Sequence, residues 1–315
     1  MKKISFVIPC YKANDTITQV VEEINETLKQ NKNYTYEVIL VDDCSPDNQW
    51  EVFEKIINKN KNVKAISLNK NMGQHCAMMA GLSEITGDYV VIIDADGQCP
   101  VPNLWDLINE LENGHDVALA KYKEYKQSVF KDIGTWLNRK MTEVIMGKPK
   151  NLYLTNFITM KRYIAEEIKN YKNPYPNMDG LLLRATSDIV NVEMEERYRT
   201  SGTSTFTLKK CIHLWMNGFT GYSIKPLQLS FFIGIFLGVI GFILLLIWLI
   251  NGILSVFEIS RLLLLAVFLF VSGINIFILG LIGDYIGRIY MCINNSPQYV
   301  IKNKLENRGT NNEKK

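Results

Sequence analysis

Apolar positions along the chain fall into two regimes. From residue 1 to about 210, short apolar runs alternate with stretches in which apolar residues recur every three or four positions. "ISFVIPCY" is a run closed by Pro9 and reads as a strand. Thr16 to Gln30 has helical spacing, with Asp15 as the expected N-cap. "YEVILVDDCSPDN" is a second strand closed by acids and a turn, and "QWEVFEKIINKN" a helix. "VKAISLN" is a third strand and "GQHCAMMAGLSEIT" a helix ending near Gly87. "DYVVIIDAD" is a fourth strand, "NLWDLINELEN" a helix, and "DVALAKY" a fifth strand. Strands alternating with helices of this length predict an α/β domain with a mostly parallel sheet covered on both faces. Past Lys121 the pattern is irregular. "YKEYKQSVFKDIGTWLNRKMTEVI" turns helical in its second part, and "GLLLRATSDIVNVEMEERYR" reads as helix, then strand.

The second regime is nearly free of charge. Residues 229–250 and 262–283 hold no ionisable side chain, and each is long enough to cross a hydrocarbon core of about 30 Å as a helix. Their glycines suit close helix approach in lipid. Before them, "TLKKCIHLWMNGFTGYSI" reads as an amphipathic helix whose Trp215, Phe219 and Tyr222 suit a membrane interface. The expected organisation is a domain over 1–205, a juxtamembrane segment over 206–228, two transmembrane helices within 229–283, and a tail over 284–315. From Asn303 that tail reads as disordered.

Composition sharpens this picture. The chain has 315 residues and a net charge of +3, which argues against a protein that coats nucleic acid. Lys209, Lys210 and Lys225 precede the first span, and Arg288, Lys302, Lys304, Arg308, Lys314 and Lys315 follow the second. The loop between holds one Glu, with Arg261 at its edge. The positive-inside rule then puts the domain and both termini in the cytoplasm, on a multi-pass protein of the cell inner (plasma) membrane. "MKKISFVIPCYK" has too short an apolar run for a signal peptide. The six cysteines form no CxxC pair and read as free thiols.

Candidate chemistry gathers where strands end, because ligands of such sheets lie beyond the carboxyl ends of the strands. Asp94 and Asp96 bracket Ala95, and residues i and i+2 of an extended chain face one side. A divalent cation such as Mg2+ or Mn2+ would relieve their repulsion and could bridge the phosphates of a nucleotide. Asp42 and Asp43 close the second strand, where one could accept hydrogen bonds from a base or ribose, or both could serve an Asx-type turn before Ser45-Pro46. Neither a G-x-G-x-x-G after the first strand nor a P-loop is present.

"FVIPCYKA", "VILVDDCSPD", "NKNMGQHCAMMAGLSEITGDYVVIIDADGQCP" and the paired C-terminal spans resemble a family 2 glycosyltransferase of the GT-A (nucleotide-diphospho-sugar transferase) fold. More narrowly they resemble membrane-anchored polyprenyl-phosphate glycosyltransferases of the dolichyl-phosphate mannose synthase, bactoprenol glucosyltransferase and undecaprenyl-phosphate aminoarabinose transferase types. The likeness covers residues 4 to 105 and returns in "RTSGTSTFTLKK" and the spans. It implies a metal site at Asp94, Asp96 and Gln98, a nucleoside pocket lined by Pro9, Tyr11 and Asp43 with Asp42 beside them, and an acceptor-phosphate element at Arg199-x-x-Gly202-x-Ser204. It also suggests a homo-oligomer. The chain departs from the family at Gly97 (usually Leu), Cys99 (usually Asp), Lys12-Ala13-Asn14 (where an acid is usual) and Thr205 (usually Lys), and it has lysines in "KYKEYK" where arginines are common.

The reaction expected is an inverting, metal-dependent transfer of a hexosyl or pentosyl group from a nucleotide sugar to a polyprenyl phosphate such as undecaprenyl phosphate, for cell-envelope glycans. A lipid phosphate is already an anion, so handling of charge matters more than a strong base. Lys121, Lys123, Lys126 and Arg199 are cations for that phosphate, the lysines equally readable as a solvated face near lipid headgroups. Asp179, about 80 residues past Asp96, lies where other family 2 enzymes place a base, and it could equally cap a helix starting at Gly180. His75, Cys76 and Cys99 read as packing. One rival is a family 2 transferase extending a lipid-diphosphate-linked oligosaccharide through a hydroxyl; another is a non-catalytic membrane-anchored binding or scaffold protein.

Overall fold

The computed structural model describes residues 1–122, 146–195, 197, 261–294 and 296–306, with isolated positions within 140–144 and 227–243. The chain divides into two units. One holds Met1–Cys211 and Asn295–Lys315, the other Ile212–Asn294.

The first unit is built on strands β1 (Lys2–Cys10), β2 (Tyr34–Asp42), β3 (Val63–Leu68), β4 (Tyr89–Ile92), β5 (Val117–Tyr122), β6 (Ile158–Lys161), β7 (Ile189–Met194) and β8 (Ile301–Glu306). They form one eight-stranded sheet in the order β7-β5-β6-β4-β1-β2-β3-β8. The β4-β1-β2-β3 block is parallel. β6 runs antiparallel between β4 and β5, and β8 runs antiparallel along β3. The helices are α1 (Ile17–Lys29), α2 (Gln49–Lys59), α3 (Gln74–Leu82), α4 (Leu104–Glu112), α5 (Arg162–Lys169) and α6 (Met178–Ala185).

Alternation along each strand decides which face it presents. Phe6, Ile8, Val38, Leu40, Val63 and Ala65 pack with Val20, Ile24, Phe53 and Ile57 of α1 and α2 and Leu104 and Leu107 of α4. α3 covers the other face so closely that a Cβ on Gly81 would come within 2.3 Å of Val7 Cγ1. Pro9 sits within β1 without breaking a ladder. Val7 O accepts Ile93 N–H on the β4 side, while Cys10 O accepts Asp43 N–H on the β2 side, so the N–H that Pro9 lacks would face the space beyond the end of β4.

Three expectations are corrected. The tail is not disordered throughout: Ile301–Glu306 is the edge strand beside β3, and Gln298 fixes the approach by donating to Tyr171 O and Asn173 O, both at 2.7 Å. The N-cap of α1 is Thr16 rather than Asp15, and its side chain makes no capping bond because its hydroxyl turns elsewhere. β4 stops at Ile92, so Asp94 to Gly97 is a turn and not the end of a strand.

In the second unit, α7 (Arg261–Ile293) carries a stretch, Phe270–Ile293, long and apolar enough to cross a membrane, with mean hydropathy 1.7. Phe268, Ile276, Phe277, Leu279 and Ile286 all stay exposed. Arg288 Nε meets Asp284 Oδ2 at 3.0 Å one turn apart, the pairing that their spacing predicts. Most of the first expected span and nearly all of the juxtamembrane segment lie outside the described residues.

Candidate active site

The parallel block brings the tips of β1, β2, β3 and β4 to one edge, where the sequence puts its acids. Asp94 begins the turn after β4. Its Oδ1 accepts Gln74 Nε2 at 2.5 Å and its Oδ2 accepts Asn156 Nδ2 at 2.9 Å. Gln74 opens α3, behind Gly73 at φ 88°, and Asn156 precedes β6. Two neutral amides from separate elements thus fix the carboxylate plane without neutralising its charge. Neither amide was singled out by the sequence reading. Gln74 had a weak signal as the first residue of a helix facing the strand tips, and Asn156 had none.

Asp96 Oδ1 accepts the backbone N–H of Gln98 at 3.1 Å, closing a tight Asx-type turn. Gly97 has φ 77°, a left-handed conformation that explains glycine there. The course past Asp96 is therefore not extended, and alternation does not carry Gln98 alongside the two acids. Its Nε2 points to Arg197 O at 3.4 Å, while Arg197 N–H donates to Gln98 O. The turn is held from behind by Thr16, whose hydroxyl donates to Ala95 O at 2.5 Å. Arg197 also pairs with Glu23 of α1, so α1 and its cap residue Thr16 hold both the acidic turn and Arg197.

Asp42 and Asp43 are buried at the tip of β2. Asp42 Oδ1 accepts Ser45 N–H at 3.0 Å and Gln49 Nε2 at 3.4 Å. Burial raises its carboxyl, opposed by the Ser45 N–H. Asp43 clamps the loop after β3 by accepting Met72 N–H at 2.7 Å and Gly73 N–H at 2.9 Å. Burial still pushes its carboxyl up to about 6. Pro9 is buried beside them, and Tyr11 is exposed at the tip of β1.

Asp179 joins this edge through α3. Met178 N–H donates to His75 Nδ1 at 3.3 Å, and burial holds the His75 imidazole neutral with its pKa near 4. Asn177 caps α6 by accepting Gly180 N–H at 2.9 Å, so Asp179 is not the cap. Its carboxyl has no hydrogen-bond partner among the described residues, and burial pushes it up to about 6. Cys76 and Cys99 are buried with thiols pushed up to about 12, which leaves them inert packing groups.

Lys121 lies on β5, three strands from β1, and its Nζ pairs with Glu193 of β7 at 2.7 Å. Lys126, Arg199 and Ser204 lie outside the described residues, as does Lys123. Among the described residues no three His, Cys, Asp or Glu side chains converge as a metal cluster. Two carboxylates on one turn nonetheless fit a hard cation of the Mg2+ type, which takes one or two carboxylates and completes its shell with water and substrate phosphates.

Comparison with known proteins agrees with this architecture. Residues 5–169 match the Glycosyl transferase family 2 profile. The chain is 30% identical over 317 residues to an undecaprenyl-phosphate 4-deoxy-4-formamido-L-arabinose transferase of Proteus mirabilis, covering 96% of this chain and 94% of the other. It is also 30% identical to the uncharacterized glycosyltransferase YkcC of Bacillus subtilis, covering 95% and 93%. Among solved structures, the glucosyl-3-phosphoglycerate synthase of Mycobacterium tuberculosis with Mn2+, UDP and phosphoglyceric acid superposes with a TM-score of 0.52 at 16% identity, covering 70% of this chain and 76% of that one. That likeness concerns the fold. By its family match over residues 5–169 and its near full-length likeness to these relatives, the chain belongs to glycosyl transferase family 2 and is a glycosyltransferase of GT-A-like α/β fold.

Proposed function

We propose that this enzyme moves a sugar, with inversion, from a nucleotide diphosphate sugar to undecaprenyl phosphate or a similar polyprenyl phosphate at the cytoplasmic face of the plasma membrane, for cell-envelope glycan synthesis or modification. The observation that carries this reading is the near full-length likeness to undecaprenyl-phosphate sugar transferases, which extends through the apolar C-terminal helix. In the transfer, the bond from the anomeric carbon to the nucleoside diphosphate breaks as one to an acceptor phosphate oxygen forms.

Asp94 and Asp96 would hold a Mg2+ or Mn2+ ion, joined by Gln98 if its amide leaves Arg197 O. When bound, the ion supplies positive charge to the departing diphosphate. Gln74 and Asn156 keep Asp94 in one orientation, as partners of ligands do in metal sites. Pro9, Tyr11, Asp42 and Asp43 would line the nucleoside pocket. Lys126, Arg199 and Ser204 would meet the acceptor phosphate, joined by Lys121 if it leaves Glu193. Asp179 stands in reserve as a base.

The return of the chain supports a membrane hairpin. β8 belongs to the same sheet as β1 to β7, so a crossing through α7 calls for a return crossing, and the uncharged run of the sequence at 229–250 is long enough to supply it. Such a hairpin fits a multi-pass protein with both termini in the cytoplasm.

The test is incubation of the purified enzyme with undecaprenyl phosphate and a panel of nucleotide sugars, read by lipid mass spectrometry. A glycosylated undecaprenyl phosphate is the expected product. Transfer only to a lipid-diphosphate-linked glycan would overturn the acceptor.

A further inference from the structure

We propose that Lys302, on the strand that returns from the membrane segment, binds the nucleoside of the donor. This rests on the nucleotide-sugar reading above and adds a residue far from the other site residues in sequence.

Four observations converge on it. The β3–β8 register pairs Ser67 with Asn303 and Leu68 with Ile301, so Lys302 has no partner and forms a bulge. Bulges re-aim side chains, often beside active sites. Because β8 is antiparallel to β3, this bulge falls at the carboxyl end of β3, the edge where Asp42, Asp43 and Asp94 lie. The backbone there joins the site directly: Val300 O accepts Asn69 N–H at 2.9 Å, and Asn69 opens the loop whose Met72 and Gly73 enclose Asp43. Beneath the bulge, Ser67 is 5% exposed and its hydroxyl has no hydrogen-bond partner among the described residues. Ser67 is in register with Asp42, on the sheet face that α2 covers. The bonds described for the Asp42 carboxylate fall on Oδ1, which leaves Oδ2 for a ligand.

Lys304, two residues further along β8, pairs with Glu84 at 2.6 Å, whereas Lys302 is exposed and has no hydrogen bond or ion pair among the described residues. Its charge does bear on Asp42. Strand spacing says which end of a nucleotide it meets. With about 4.8 Å between strands, Asp42 lies roughly 10 Å from the acidic turn after β4 and the β8 backbone roughly 19 Å. The diphosphate belongs with Asp94 and Asp96, so Lys302 reaches the nucleoside. Lys can only donate and ionised Asp can only accept. Together they match a base edge that carries an N–H beside an acceptor, which pyrimidines and purines both offer.

The test is binding of UDP, dTDP, GDP, CDP and ADP to the full-length enzyme in detergent, with steady-state kinetics on both substrates. Lys302→Ala should weaken the tightest-bound of these nucleotides about tenfold, the size of one hydrogen bond to a charged group. It should raise the donor KM similarly and leave the acceptor KM unchanged. Lys302→Arg should restore most binding, and Lys304→Ala should bind like the wild type. The Lys302 assignment is overturned if Lys302→Ala binds as the wild type does, or if both KM values shift together with a fall in Tm. If the wild type binds no nucleotide, the nucleotide-sugar reading itself falls and Lys302 with it.

Discussion

The Gln74 side-chain amide donates to Asp94 at 2.5 Å, across the gap between the first turn of α3 and the turn after β4. With Asn156 on the other carboxylate oxygen, it fixes the direction in which Asp94 presents its charge. Gln74→Ala should lower kcat/KM by about 10- to 100-fold, the usual cost of losing a partner that orients a metal ligand. The loss should shrink at high Mn2+, which a Mn2+ titration of the transfer rate will show.

Asp96 is bound differently, by the backbone of its own turn. Asp96→Asn keeps an oxygen for the Gln98 N–H and so keeps the turn, while removing the charge. Transfer should fall by about 10²- to 10³-fold, with the circular dichroism spectrum unchanged. Activity equal to the wild type would sink the metal-site assignment.

Asp179 is a half-buried carboxyl with no described partner, pushed up to about 6 by desolvation. Its folded pKa lies above its unfolded value, so its charge destabilises the fold above pH 6, and that penalty fades as pH falls toward 4. Asp179→Asn should therefore raise Tm at pH 7.5, by about 2 kcal/mol or less of added stability, and leave Tm nearly unchanged at pH 4. With a lipid phosphate acceptor it should slow turnover. Complete loss of turnover would point to a hydroxyl acceptor, which needs a firm base.

Glu37 is buried at the opposite end of the sheet. Its carboxylate accepts Ser5 Oγ at 2.6 Å and Thr86 N–H at 2.7 Å, with Lys64 Nζ at 3.1 Å. Burial raises its carboxyl, but these bonds and the Lys64 charge overcome that and bring it down to about 2. Its stabilisation is present above pH 4.5 and is lost as pH falls from 4.5 toward 2. Glu37→Ala should cost about 3 kcal/mol by leaving Lys64 and the Ser5 hydroxyl without their partner, measurable as a drop in Tm at pH 7 that narrows in acid.

Much of the first unit is legible in the sequence because β1 to β5 and α1 to α4 announce themselves by local apolar period. β6 and β8 do not. "ITMK" is too short to show a period, and "IKNKLE" lies at an exposed edge where polar and charged residues suffice. The acids were legible because carboxylates at strand tips are conspicuous. Their supports were not, since Gln74, Asn156 and the Asp94 they hold meet only after three separate elements have packed. "NPYPNMDG" offers two good helix caps in Asn177 and Asp179, and only the backbone decides between them.

The antiparallel strand at 301–306 also sets an order of assembly. β3 is among the first elements made, yet its outer edge stays open until the ribosome has produced every residue of the second unit. At about 5–20 residues per second that wait is on the order of ten seconds or more. Throughout it, the backbone groups on the outer edge of β3 have no strand to bond. The sheet is therefore completed only after the whole second unit has been synthesised, and a nascent chain stalled before Ile301 would carry an unpaired edge open to association with other chains.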